Sequence, residues 1–336
     1  MQTKRQRTQI IAELCQNHNG DIELLKEMVR SAAQNGADYV KGQIIFSDNV
    51  TYRERFEDGE VLSNGVVKTI TRPYQAEVSR LMGLDLAPFE MRGFVQICID
   101  HGVKPLMTVF TREDIAFAKS LPLPESVVKV ASPDVISIPF LKELADAFDH
   151  IILSTGGATD EEIAVAAATI HNKGKQLTLM HCVSLYPNPL NLCNLARMDY
   201  LRNLAHSVGW SDHTNVEVDG IKASKVASML GADFIERHFT ILPADQSKDG
   251  IVSVTPELLK ELVGFTELSQ NTQRITVNSD VPEWETLVGM ERRELTHAEI
   301  LNIDYMRGRF ASLDGENGWI YNWEDTPLPA FRNESE

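Results

Sequence analysis

Long apolar runs are missing from this chain. No stretch approaches the roughly 20 consecutive apolar residues that a membrane-spanning helix needs, so no membrane partner is expected. Cysteine is sparse: Cys15, Cys98, Cys182 and Cys193 are the only four, and none share C-x-x-C spacing. They fit reduced thiols in a cytoplasmic protein better than a disulfide framework. Positive charge is in deficit, with 32 Lys and Arg against 48 Asp and Glu and a formal net charge of −16. That balance argues against nucleic acid, whose binding rests on neutralising phosphates. A small anionic substrate stays open, because a few local cations suffice to hold one. The basic stretch from Met1 to Thr8 lacks an apolar segment behind it, so no secretory leader is expected.

What is present is an ordinary globular composition, 43% hydrophobic and 24% charged over 336 residues. That is enough for one large α/β domain with an appendage, or for two domains. Short apolar runs alternate with amphipathic segments over about the first 270 residues. Eight runs read as strands: 9–14, 37–44, 104–109, 126–131, 150–154, 176–181, 205–210 and 232–236. Ile22, Leu25, Val29 and Ala32 mark one face of the first intervening helix. Thr159 with Glu162 reads as a capping box, and Gly174 as a helix stop. Eight such units with nearly continuous apolar strands imply a parallel sheet buried on both faces, closed into a (β/α)8 TIM barrel. An open doubly wound sheet is the rival, but no G-x-G-x-x-G follows the first strand.

Two stretches break this rhythm. Residues 45–85 are polar and too long for an ordinary connection, as lids and substrate walls often are. After residue 275 the pattern changes again. We divide the chain into a barrel domain, 1–275, and a non-standard C-terminal extension, 276–336. In the extension Trp319, Tyr321 and Trp323 alternate as in a short strand or an interface patch, and the polar end, Arg332 to Glu336, is expected to fray.

The strand ends carry the chemistry. In order they offer Glu13; Lys41 with Gln43; Thr108; Lys129 with Ser132; Ser154; His181 with Ser184 and Tyr186; Ser211, Asp212 and His213; and Glu236 to His238. In a (β/α)8 barrel these ends converge on the face that holds active sites. Polar or charged groups at all eight ends are hard to ascribe to stability, because buried charge is costly. His213 and His238 close adjacent strands, so both imidazoles can reach one divalent cation; each alone could equally hydrogen-bond at the rim. Lys41, Lys129, Ser132, Ser154 and Ser211 suit the phosphate and carboxylate of a small ligand. Cys15 and Cys182 read as packing residues, since no local base marks either as a nucleophile.

Taken together and in order, these blocks resemble the sialic acid synthase family. The resemblance starts at Ile11-Ala12-Glu13 and Asn17-His18-Asn19-Gly20-Asp21, then runs through Lys41-Gly42-Gln43, Lys129-Val130-Ala131-Ser132 and Leu153-Ser154-Thr155-Gly156. It continues at His181 to Pro187, Gly209 to Thr214 and Glu236 to Thr240.

The resemblance implies an enzyme that condenses phosphoenolpyruvate with a sugar aldehyde, N-acetylmannosamine or a related amino sugar. The product is a nonulosonic α-keto acid for surface polysaccharide. It implies a divalent metal on His213 and His238, usually manganese, with magnesium or cobalt as alternatives. Lys129, Ser132, Ser154, Ser184 and Ser211 would hold the phosphate, and Lys41 and Thr108 the carboxylate end. Glu13 would act at the reacting carbons, making Glu13, Lys41 and Lys129 the catalytic set. Gln43, Tyr186 and Asp249 would face the sugar. A homodimer is implied as well.

Two departures bear on the acceptor. The family's antifreeze-like C-terminal domain, with an arginine for the sugar's acyl group, has no counterpart in residues 275–336; Arg307 or Arg309 is a substitute or a surface basic pair. Gly42 stands where a bulkier residue is common. Two other readings explain part of the pattern. A different metal-dependent aldolase or isomerase accounts for the histidines and cations but not for the ordered motif set. A non-catalytic binding descendant of the barrel sits poorly with Glu13, both lysines and both histidines all being present.

Overall fold

β-Branched and aliphatic residues dominate the eight barrel strands, which is why short segments can bury both faces. In a computed structural model, which describes residues 7–315 and 318–329, the strands are β1 (Gln9–Glu13), β2 (Tyr39–Ile44), β3 (Lys104–Val109) and β4 (Val127–Val130). They continue as β5 (His150–Ser154), β6 (Gln176–Cys182), β7 (Ser207–Asp212) and β8 (Phe234–Phe239). All pair in parallel in sequence order, and β1 closes on β8 with Glu13 opposite His238. The fold is a closed (β/α)8 barrel. The eight principal helices are α1 (Ile22–Gln34), α2 (Pro88–Asp100), α3 (Asp114–Ser120), α4 (Ile138–Ala147), α5 (Asp160–Asn172), α6 (Arg197–Arg202), α7 (Lys222–Met229) and α8 (Pro256–Thr266).

The local signals behave as their chemistry requires. Ile22, Leu25 and Val29 pack α1 inward, and Thr159 and Glu162 close a reciprocal capping box on α5. Gly174 follows α5 in the left-handed region, φ 68°. The ends of the last three strands differ from the sequence reading. β6 runs one residue further, to Cys182; β7 ends two residues later, at Asp212; and β8 three later, at Phe239. Ending each strand near its first polar residue cuts it short, because an inward-facing strand can carry polar side chains into the mouth while its backbone stays hydrogen-bonded.

Alternation along the strands sets two cores. Ile11, Tyr39, Leu106, Val127, Ile152, Met180 and Phe234 plug the barrel interior. Residues of opposite parity, such as Ile10, Val40, Val128 and Leu153, meet the helices outside. One step above the interior plug the inward positions turn polar, and the cavity begins there.

The excursion and the tail close over this mouth. Residues 45–85 form a small hairpin, Glu60–Val61 with Val67–Thr69, and the helix Tyr74–Met82. The tail contributes α9 (Gln270–Asp280), which contains residue 275, and α10 (His297–Met306). A second hairpin follows, Ser312–Asp314 with Gly318–Ile320. Tail and excursion are laced together by Thr51 N donating to Arg309 O (3.0 Å), Thr51 Oγ1 donating to Gly308 O (2.5 Å) and Arg53 Nη1 donating to Arg307 O (2.9 Å). Trp319 lies in the hairpin, while Tyr321 and Trp323 stack at 4.6 Å. The basic start from Met1 and the polar end from Arg332 fall outside the described residues, apart from Arg7 and Thr8. Among the described residues no helix is long and apolar enough to cross a membrane.

Candidate active site

A cavity of about 470 Å³ opens at the C-terminal ends of the strands. Every residue given a catalytic, substrate or metal role from the resemblance lines it: Glu13, Lys41, Gln43, Thr108, Lys129, Ser132, Ser154, Ser184, Tyr186, Ser211, His213, His238 and Asp249.

Its floor is a chain of buried charges. Lys41 Nζ lies 2.7 Å from Glu13 Oε2 and 3.2 Å from Glu236 Oε1. Gln43 Nε2 donates to the other Glu13 oxygen (2.9 Å), and Ser211 Oγ donates to Glu236 Oε1 (3.0 Å). Burial alone would lower the Lys41 pKa, but the two carboxylates hold it well above its ordinary value. Burial would likewise raise Glu236, and Lys41 and Lys129 pull it below the usual carboxylate range instead. Lys129 is different. Desolvation, with Lys41 nearby, brings it down to about 8 although Glu236 opposes the shift. Its Nζ donates to Ser154 Oγ (2.5 Å) and Val130 O (3.1 Å), and neither acceptor is an anion. A buried ammonium facing hydroxyls is a site short of one negative charge.

The hydroxyls converge beside it. Ser132 Oγ accepts from Gly156 N (3.0 Å) and lies 3.3 Å from Cys182 Sγ. A Cβ on residue 156 would stand 2.5 Å from Ser184 Oγ and 3.1 Å from Ser132 Oγ, so only glycine lets the backbone come this close. Lys129, three serines and a nearby backbone amide form a cradle of the kind that holds phosphate.

Across the cavity His213 and His238 stand with ring centroids 5.5 Å apart, and the Tyr186 ring lies 4.1 Å from His213. His213 Nδ1 is 3.1 Å from Val183 O. A carbonyl only accepts, so Nδ1 carries the proton and Nε2 keeps its lone pair toward the cavity. Burial and His238 push the His213 pKa down to about 4, keeping it neutral. His238 Nδ1 is 3.4 Å from Asp249 Oδ2, and Asp249 raises its pKa against the effect of burial. Glu236 Oε2 is buried without a hydrogen-bond partner among the described residues. Neutral imidazole, carboxylate and an unsatisfied oxygen make a donor set that fits a divalent cation. Among the described residues, Cys15, His238 and Asp249 bring three ligand atoms within 4.8 Å of one another.

Parity removes some strand-end residues from the cavity. His181 points outward, with Nε2 donating to Cys193 O (2.7 Å) and its ring 5.0 Å from Trp210. Asp212 and Arg237 also face outward and form a fully buried pair at 2.6 Å. The strand-end reading, which counts His181, Asp212 and Arg237 among the groups converging on the active face, is therefore corrected for these three. Gly42 faces outward as well: a Cβ there would sit 3.1 Å from the Phe94 ring, so its small size serves packing and not the acceptor. Of the two tail arginines, Arg307 pairs with Glu162 (2.8 Å) away from the cavity, while Arg309 lines it and pairs with Glu77.

Sequence reasoning did not assign Glu236 or Arg80 to the site, nor the rim residues Asn302, Ile303, Tyr305 and Met306. Glu236 was legible as a strand-end acid. The rim residues belong to a tail with no strand–helix period to register them against.

Comparisons with known proteins agree with this architecture. A model described as the NeuB family matches residues 28–275. The N,N'-diacetyllegionaminic acid synthase of Campylobacter jejuni is 34% identical over 261 residues, 76% of this chain and 74% of that protein. A protein of the same name from Legionella pneumophila is 32% identical over 260 residues, 76% of this chain and 70% of its own. Among solved structures, the N-acetylneuraminic acid (sialic acid) synthetase of Leptospira borgpetersenii superposes with a TM-score of 0.66 at 26% identity, covering 89% of this chain and 91% of that one. With a family match across most of the barrel and two relatives above 30% identity, the chain belongs to the NeuB family.

Proposed function

We propose that this protein condenses phosphoenolpyruvate with the open-chain aldehyde of an amino sugar, N-acetylmannosamine or a relative, releasing phosphate and a nonulosonic α-keto acid for surface polysaccharide. The observation that carries the reading is the pairing of an anion-deficient cradle around Lys129 with two histidines on the opposite wall of one cavity.

In this reading Lys129, Ser132, Ser154, Ser184 and Ser211 hold the phosphate, and Lys41 with Thr108 meets the carboxylate. His213 and His238 hold a divalent cation, with manganese expected and magnesium or cobalt as substitutes. Bound there, the metal supplies Lewis-acid polarisation of the acceptor's aldehyde oxygen. Gln43, Tyr186 and Asp249 orient the sugar so that phosphoenolpyruvate C3 bonds to the aldehyde carbon. Water then adds at C2, and Glu13, steadied by Lys41 and Gln43, takes its proton. The C2–O bond to phosphate breaks, and Lys129 and the serines receive the departing anion in a pocket already organised for it. The barrel, 1–275, supplies this chemistry, and the extension after it walls the acceptor's outer end. A cytoplasmic setting suits the four free cysteines. The homodimer expected from the resemblance is checked by sedimentation.

The test is phosphate release from phosphoenolpyruvate with manganese across a panel of aldoses, including N-acetylmannosamine and its 2,4-diamino relatives. Release that needs both metal and one sugar, and that His238→Ala abolishes, supports the synthase and names its acceptor. Failure to bind phosphoenolpyruvate at all would overturn it.

A further inference from the structure

We propose that Cys15 is itself a metal ligand, so that Cys15, His238 and Asp249 form a thiolate–imidazole–carboxylate centre suited to zinc, iron(II) or cobalt(II) more than to manganese. The proposal rests on the reading above that His238 holds a metal, and it changes which metal.

The geometry is specific. Ligand atoms of the three side chains lie within 4.8 Å of one another. Atoms sharing one ion at zinc-like bond lengths sit about 3.5 Å apart, so small side-chain rotations complete the set. The His238 side chain is more than nine-tenths buried, and its Nδ1 makes no hydrogen bond among the described residues; Asp249 Oδ2 is 3.4 Å away. Asp249 is held from behind: its N–H donates to Asn17 Oδ1 (3.0 Å), while Asn17 Nδ2 donates to Phe239 O (3.0 Å) and Ser253 Oγ (2.9 Å). Supports of this kind fix a ligand's direction before the ion arrives.

Cys15 is aimed with similar care. It lines the cavity, and Gln43 Nε2 donates to its Sγ at 3.4 Å, a contact that steadies a thiolate. Its backbone has φ 46°, the left-handed region that favours glycine. The chain thus accepts a strained cysteine at the one point where its sulfur reaches His238 and Asp249. A bound cation deprotonates a coordinating thiol. A soft sulfur donor then shifts preference from manganese, which favours oxygen and nitrogen, toward thiophilic ions. His213 stays near enough to serve as a fourth ligand or to leave that position to substrate.

The experiment loads the metal-stripped full-length protein with cobalt(II) and records its absorption. A near-ultraviolet thiolate-to-cobalt charge-transfer band is expected, together with visible d–d bands. Cys15→Ser should lose the first and keep the second. Cys15→Gly should do the same, and it suits the left-handed backbone, which guards against a folding defect. Cys182→Ser should keep both. By competition, Cys15→Ser should weaken zinc binding about 10- to 100-fold more than manganese binding. Visible bands without the charge-transfer band in the unmodified protein, or a charge-transfer band that survives Cys15→Ser, would overturn the thiolate ligand and leave the histidine site standing. No cobalt bound at all would overturn both.

Discussion

Along β8, Glu236 and His238 face the cavity, while Arg237 between them faces the helices; on β7 the same alternation separates Ser211 from Asp212. Both faces are buried and both are charged, yet they are built to opposite rules. The outward pair is neutralised within itself: Asp212 also accepts from Ser224 Oγ (2.6 Å) and Thr214 Oγ1 (2.7 Å), and Arg237 donates to Thr214 Oγ1 (3.1 Å) and Val252 O (3.2 Å), with its Nε left unpaired among the described residues. The inward set is open, with Lys129 lacking a close anion and Glu236 Oε2 lacking a donor among the described residues. Satisfied buried charge specifies structure. Unsatisfied buried charge awaits a ligand.

The largest effect expected from the inward face follows Glu13→Gln. It should lower kcat about 10²- to 10⁴-fold while the denaturant midpoint moves little, because Lys41 keeps Glu236; steady-state kinetics and chemical denaturation measure the two. On the outward face the pattern reverses. Asp212→Asn leaves Arg237 buried and uncompensated, costing about 3–5 kcal/mol, with kcat of the folded fraction near that of the unaltered protein. A large loss of kcat at full stability there would erase the distinction between the faces.

Lys129 separates the faces by pH. Burial lowers its folded-state pKa to about 8, below that of the unfolded chain. Between those values the unfolded state binds more protons, so the Lys129 contribution to stability improves as pH rises above about 8. Phosphate binding needs the ammonium, so kcat/KM for phosphoenolpyruvate should fall over the same interval. Lys129→Arg should remove that fall from the pH profile. The smallest effect is assigned to His181→Leu, which leaves Cys193 O without its donor and should cost about 1 kcal/mol of stability with kcat unchanged.

The closed barrel and all of the inward strand-end residues were legible, because a period of two and a common end of the barrel place such residues without knowledge of any contact. At three strand-end positions the reading fails on parity. His181, Asp212 and Arg237 adjoin site residues in sequence and point the other way, and a list of strand-end polar residues does not distinguish them. Cys15 reads as a packing residue from sequence, because a thiol without a neighbouring base carries no signal until His238 and Asp249, more than 220 residues away, are brought beside it. The rim could not be read at all. Arg309 meets Glu77 and Thr51 only through long-range packing, and neither segment has a repeating pattern that predicts its partner.

The clasp between the segment around Thr51 and the stretch Arg307–Arg309 also has a consequence for biosynthesis. Ribosomes deliver the chain from its N-terminus, and domains fold as they emerge. All eight barrel strands are made by Phe239, but the segment that fastens the mouth follows more than 60 residues later. Until then a nascent barrel presents its charged floor to solvent with nothing to hold the excursion in place. A frameshift or early stop after α8 would yield a chain with every strand-end residue in place and no wall at its outer end.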